Sequence, residues 1–228
     1  MIAALAQWFG DASRWAGADG IPQRLVEHLA YSALALAIAA LIAVPLGLWI
    51  GHTGKGERIV VLLSSGLRSL PTLGLLTFLV IVLDVSLGQV LIPVTVVLTI
   101  LAVPPLLAGC YSGLQAVPRE VVQAAVAGGH STTQVVTAVE LPNALPMMIA
   151  GLRSAALQVL ATTSVAAYVG LGGLGRYLFD ALGVQDYTKM LAGALLICAL
   201  ALLTDGLLAL LQRLLTPAGV RLERARNH

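Results

Sequence analysis

VPREVVQAAVAGGHSTTQVVTAVELPNALP, residues 117–146, is a polar and structured interruption between two stretches apolar enough to cross a membrane. Its residues spell two short helices. Pro118 suits the first position of a helix, where its missing N–H would have no partner anyway, and Arg119 to Ala127 follow without a breaker. Gly128 and Gly129 can take the left-handed conformation that ends a helix. Ser131 and Gln134 then make an S-x-x-Q capping-box pattern that starts another, and Pro142 and Pro146 close the unit at the edge of the next apolar run. A loop folded this carefully in so apolar a chain points to a partner that meets it.

Outward from the loop, the 228 residues are 58% hydrophobic and 11% charged, with a mean hydropathy of +0.92. That balance excludes an ordinary soluble domain. Five runs, 30–51, 59–82, 89–112, 145–169 and 190–214, are long enough to cross a hydrocarbon core about 30 Å thick, which takes roughly 20 helical residues. They are continuous and rich in Leu and Ala, without the alternation of a barrel strand. The fold class is therefore all-α and polytopic, five core transmembrane helices in one domain over residues 1–228, with 117–142 as its loop. Ahead of them, Asp11, Arg14 and Asp19 interrupt any signal-peptide core and no basic start precedes it. A short interfacial helix fits better, with Trp8, Phe9 and Trp15 at the headgroup level. Cys110 and Cys198 fall inside spans and read as small packing residues rather than as a disulfide or metal site.

Gly170, Gly172 and Gly175 fit G-x-G-x-x-G, but the string follows a span rather than a strand and lacks an acid about 20 positions on. An external turn in which backbones approach closely explains it better. GHTGKG at 51–56 lacks the spacing and the Ser/Thr of a phosphate loop, so the chain holds no ATP site of the usual kind. His28, His52, His130 and His228 show no i, i+4 ligand pair, and the acids are dispersed, which argues against catalysis or a metal centre. A charge of +2 without a basic stripe and interleaved aromatics argues against nucleic acid.

Polar groups inside spans are expensive and normally face protein or water. Arg68, Ser69, Pro71 and Thr72 lie in the second run, where Pro71 bends the helix; they line a path or serve packing. Gln158 and Thr162 stand one turn apart on the same face of the fourth, beside Thr163 and Ser164, again as path lining or as helix-helix glue. Asp205 pairs with Arg68 or Arg153 or faces water. Gly47 with Gly51, and Gly109 with Gly113, have the spacing for close helix contact.

At the loop the residues also carry a resemblance. Gln123, Ala124 and Ala125, then Gly129, then after nine residues Val139, Leu141 and Pro142, match the spacing EAA-x3-G-x9-I-x-LP of membrane subunits in binding-protein-dependent ABC importers. The match runs on through ELPNALPMMIAGLRSAALQVLATTSVAAYVGLGGLGRYL and takes in HLAYSALALAIAALIAVPLGLWIGHTGKG and LRSLPTLGLL, covering most of residues 28–215. It most resembles permeases for glycine betaine, choline and related osmoprotectants. One departure is that Gln123 stands where the pattern has Glu.

The resemblance implies alternating access in a bacterial cytoplasmic membrane. No cofactor would be held by this chain; ATP and Mg would sit on partner ATPase subunits docked at 117–142. A second permease, copy or paralogue, would enclose the path, an extracytoplasmic substrate-binding protein would deliver the ligand, and lipid would surround the whole. With the loop inside, seven Lys and Arg residues fall on the inner side against four outside, in keeping with the positive-inside rule, which puts the N-terminus outside and the C-terminus in the cytoplasm. Quaternary ammonium groups favour aromatic cages, and three Trp, five Tyr and three Phe leave selectivity to the binding protein. A permease for another small solute, such as an amino acid, shares the same loop. A stand-alone channel or structural membrane protein has no need of it.

Overall fold

The computed structural model describes residues 1–68 and 70–216, without the side chains of Val61, Leu63, Ser64, Ser65, Arg68 and Leu87. Every regular element among the described residues is helical. Among the described residues, four helical stretches are long and apolar enough to cross a membrane: α2 (Ile21–Thr53), α5 (Leu91–Gln115), the run Thr132–Val169, and α10 (Tyr187–Leu215). At 33 residues, α2 is about 50 Å long, which leaves length for Arg24 and Glu27 in its first turns beyond a hydrocarbon core of about 30 Å.

The second expected span, 59–82, is not one helix. It divides into α3 (Glu57–Arg68) and α4 (Thr72–Val82), 12 and 11 residues long, each short of the roughly 20 that a crossing takes. Pro71 explains the break. Its ring fixes φ at −68° with an extended ψ of 108°, and it has no N–H to offer the preceding turn, so the residue that bends a helix in sequence terms here begins a new one.

The described chain divides into two compact units. The first comprises residues 1–38, 68–102 and 156–204. Its core gathers Trp8 from α1 (Ile2–Gly10), Ile21, Leu160, Leu174, and Tyr177 from α9 (Arg176–Leu182). Trp8 is therefore a core residue and not a headgroup anchor: its ring packs edge-on against Phe9 at 5.0 Å and Tyr177 at 5.5 Å, because Tyr177 and Ile21 offer it a protein surface. Trp15 stays exposed and donates its indole N–H to the Phe9 carbonyl at 2.8 Å.

In the same unit the Gly-rich turn is strapped to α2. The Glu27 carboxylate accepts the Gly173 N–H at 2.7 Å and a bond from Arg24 at 2.9 Å, while Arg24 also pairs with Asp19. A side chain at Gly172 would run into that carboxylate and one at Gly175 into the Ser164 carbonyl, so the glycines serve close approach as expected. Burial pushes the Tyr177 phenol above its ordinary pKa, and the protonated hydroxyl donates to the Asp19 carbonyl at 2.8 Å.

The second unit comprises residues 39–67, 103–155 and the chain from 205 onward. Two glycine seams organise it. Gly47 and Gly51 of α2 lie beneath Cys110 and Leu114 of α5, and Gly109 and Gly113 of α5 face Gly151, Met147 and Ala144 of α8 (Leu141–Thr163). Both small-residue pairs are thus close helix contacts. Asp205 of α10 pairs with Arg153 of α8 through two bonds of 2.8 Å, and Gln212 links the Arg153 guanidinium, at 3.0 Å, to the Pro146 carbonyl, at 2.7 Å.

Candidate functional site

The loop begins with Pro118 as the cap residue just outside α6 (Arg119–Ala127), one place earlier than the first helical position expected of it. The Gly128 and Gly129 N–H groups donate to the Ala124 and Val126 carbonyls, both at 2.9 Å, and Gly129 takes φ +88°. His130 adds a side-chain bond from Nδ1 to the Ala125 carbonyl at 3.0 Å, which also accepts the His130 backbone N–H at 3.2 Å. Ser131 then forms the full capping box with Gln134: the Ser131 N–H donates to Gln134 Oε1 at 2.8 Å and the Gln134 N–H to Ser131 Oγ at 3.4 Å.

Gln123, Ala124 and Gly129 are exposed, while Ala125, Val139, Leu141 and Pro142 are half-buried. Val121 and Val126 also stand out from α6 at 45% and 58% exposure.

Beyond the capping box the loop departs from expectation. Pro142 and Pro146 do not close it; α7 (Thr132–Gln134) runs through a wide π turn at Val135–Glu140 straight into α8. In that turn the hydrogen bonding shifts by one residue, with the Leu141 N–H donating to the Val136 carbonyl. Pro142 falls where the π turn passes into α8, and its missing N–H takes one bond out of that continuous run. Asn143 Nδ2 covers the Val139 carbonyl at 2.7 Å.

Sequence reading missed the pair that this turn creates. Glu140, 5% exposed, meets His52 at the end of α2 with 2.7 Å between Oε2 and Nδ1. A lone acid in the otherwise uncharged run VVTAVELP is the signal that pointed to it. The pair edges an open polar cavity of about 640 Å³ whose lining includes Glu57, Gln115, Arg119 and Gln123.

Of the path candidates, the structure brings Thr72 and Thr162 together. Both line a crevice of about 10 Å³ with Leu76, Leu98 and Ala166, room for at most one water. Gln158 is half-buried and is not among the lining residues. Thr163 serves packing: fully buried, it donates to the Val159 carbonyl at 2.8 Å and its Oγ1 lies 2.9 Å from Ser32 Oγ. Ser69 and the Arg68 side chain lie outside the described residues.

With this geometry in view, residues 43–217 match the family described as binding-protein-dependent transport system inner membrane component. The chain belongs to that family. The permease is 32% identical over 195 residues to the choline transport system permease protein OpuBB of Bacillus subtilis, covering 86% of this chain and 88% of the relative. It is 31% identical to the osmoprotectant import permease protein OsmW of Salmonella typhimurium, covering 86% and 91%. The fold matches that of the MetNI methionine ABC transporter in an inward-facing conformation, with a TM-score of 0.72 at 22% identity over 86% of this chain and 96% of that one. The permease is thus the polytopic membrane component of an ABC importer whose ATPase is a separate subunit.

Proposed function

We propose that this permease admits osmoprotectants such as glycine betaine, choline or related quaternary ammonium compounds by alternating access. It acts without chemistry of its own, in the bacterial cytoplasmic membrane, with its N-terminus outside and its C-terminus in the cytoplasm. The observation that carries the reading is the loop: a capped helical knob whose Gln123, Ala124 and Gly129 are exposed, set at the family's spacing. Support for the substrate class comes from the choline and osmoprotectant permeases that the chain resembles over most of its length.

In this reading ATPase subunits, carrying ATP and Mg, grip the loop at residues 117–142. Closure of the ATPase pair moves α6, and the glycine seams carry the movement into α2, α5 and α8. A second permease completes the path, and an external binding protein selects the solute. The test is uptake of radiolabelled choline and glycine betaine into proteoliposomes holding the permease, its ATPase and its binding protein. ATP-dependent uptake that excess amino acid leaves unchanged is the expected result. Uptake of an amino acid in place of either compound would overturn the substrate class.

A further inference from the structure

The His52–Glu140 pair has no place in the spacing that defines the loop, and its geometry is unusual in three respects. Glu140 is a carboxylate buried to 5% exposure in a chain that is mostly apolar, and a buried charge is costly unless it is bonded and paired. Its bond to the His52 ring, 2.7 Å long, joins residues 88 positions apart. The backbone is also reshaped to make it. On an α-helix, residues five apart stand about 140° apart around the axis, so Val135 and Glu140 could not both face inward. The i to i+5 bonding of a π turn brings such residues close to one face, and Val135 and Glu140 are the buried residues of the turn. Turns of this kind recur at functional sites because an extra residue destabilises a helix and persists where it aims a group.

His52 lies in the last turn of α2, one residue after Gly51, whose Cα packs beneath Leu114 of α5. Glu140 lies one residue before α8, whose Ala144 and Met147 pack on Gly113 of α5. The pair therefore closes a chain of contacts in which α5 is seated between two glycine seams, and it joins the loop to α2 without passing through α5. We propose that Glu140 and His52 are positioning residues that lock the loop to the end of α2, so that displacement of α6 moves α2 as one body. This deepens the proposed function and rests on its coupling role for the loop.

The experiment uses the assembled permease and ATPase complex in nanodiscs, with the native cysteines replaced. Spin labels at Val126→Cys on α6 and Leu46→Cys on α2, both at exposed positions, report the separation of loop and helix in ADP-bound and ATP-vanadate-trapped complexes. With the lock in place the labels keep one distance in both states. Glu140→Ala and Glu140→Leu let the distance differ between states and lower solute moved per ATP by roughly tenfold, the worth of one hydrogen bond to a charged group, while ATPase recovery is unchanged. Glu140→Gln, which keeps an acceptor for the His52 ring, restores the single distance, a rescue that a space-filling role would not give to Gln over Leu. A distance that already differs between states in the unaltered pair, or one that stays fixed in both Ala and Leu variants, overturns the proposal. A fixed distance in a complex that moves no osmoprotectant strikes only the substrate reading.

Discussion

Gly109→Ala adds one methyl group at the closest point of the α5 and α8 seam. The new Cβ would sit 2.8 Å from the Gly151 Cα, 2.8 Å from the Met147 carbonyl oxygen and 3.2 Å from the Gly151 nitrogen. All three are backbone atoms, so no rotamer can move aside. Overpacking of this kind costs about 1–3 kcal/mol, and the better helix propensity of Ala returns about 0.8–1 kcal/mol. The net loss is about 0–2 kcal/mol, equivalent to a melting point lower by up to about 9 °C in a chain of this size.

Gly206→Ala is the matched control. It lies inside α10 with nothing within 4 Å of a built Cβ, so it keeps the propensity gain without the clash. Melting can be read in detergent with a thiol-reactive dye in a Cys198→Ala background, since Cys110 is 2% exposed beside the other seam and reacts when the helices part. A Gly109→Ala permease that melts at or above the parent temperature would refute the seam as a close contact.

Gly129→Val forces a β-branched residue to φ +88° and should release or uncouple the ATPase while the spans stay folded; normal solute-stimulated ATP hydrolysis would contradict this. Trp8→Ala removes the ring between Phe9 and Tyr177 at a cost of about 3–5 kcal/mol, and limited proteolysis ahead of α2 should become faster than in the parent. Asp205→Leu leaves Arg153 without its two bonds and lowers the yield of folded protein, whereas Asp205→Leu with Arg153→Met recovers it; equal yields of both variants would count against the pairing. Gln123 lacks the charge of the family's acid, so a tag on this chain alone should recover a second, non-identical permease that carries Glu. Recovery of one permease species at two copies per ATPase pair, fully active, would sink that asymmetry.

Where structure follows from neighbours in sequence, the reading of the chain carried far. Gly129, Ser131 and Gln134 act through partners at most a few residues away, and their turn and cap were legible as residue types. Hydropathy located the spans because length and apolarity are local properties too. It overstated the second, since a window average across Pro71 does not register that one residue has no N–H to give. Trp8 is a different failure: an aromatic on a short helix reads alike whether lipid or Tyr177 receives it. The π turn and the partner of Glu140 were illegible for a stronger reason: the lone acid marks one residue, but a contact across 88 residues has no trace in the spacing of either partner. Thr72 and Thr162 were named for their polarity, yet only the folded helices could bring them to one crevice.

The Arg153–Asp205 pair also sets an order on how this protein enters its membrane. The two residues are 52 positions apart, and ribosomes add about 5–20 residues each second. Arg153 therefore emerges roughly 3–10 s before its carboxylate exists, on a span that cannot cheaply present a guanidinium to lipid. Until α10 is made, with nearly all of its apolar stretch facing outward from the chain, that guanidinium lacks its carboxylate. α10 thus brings Ala192 and Leu200 to the first unit's core and the carboxylate that Arg153 pairs with.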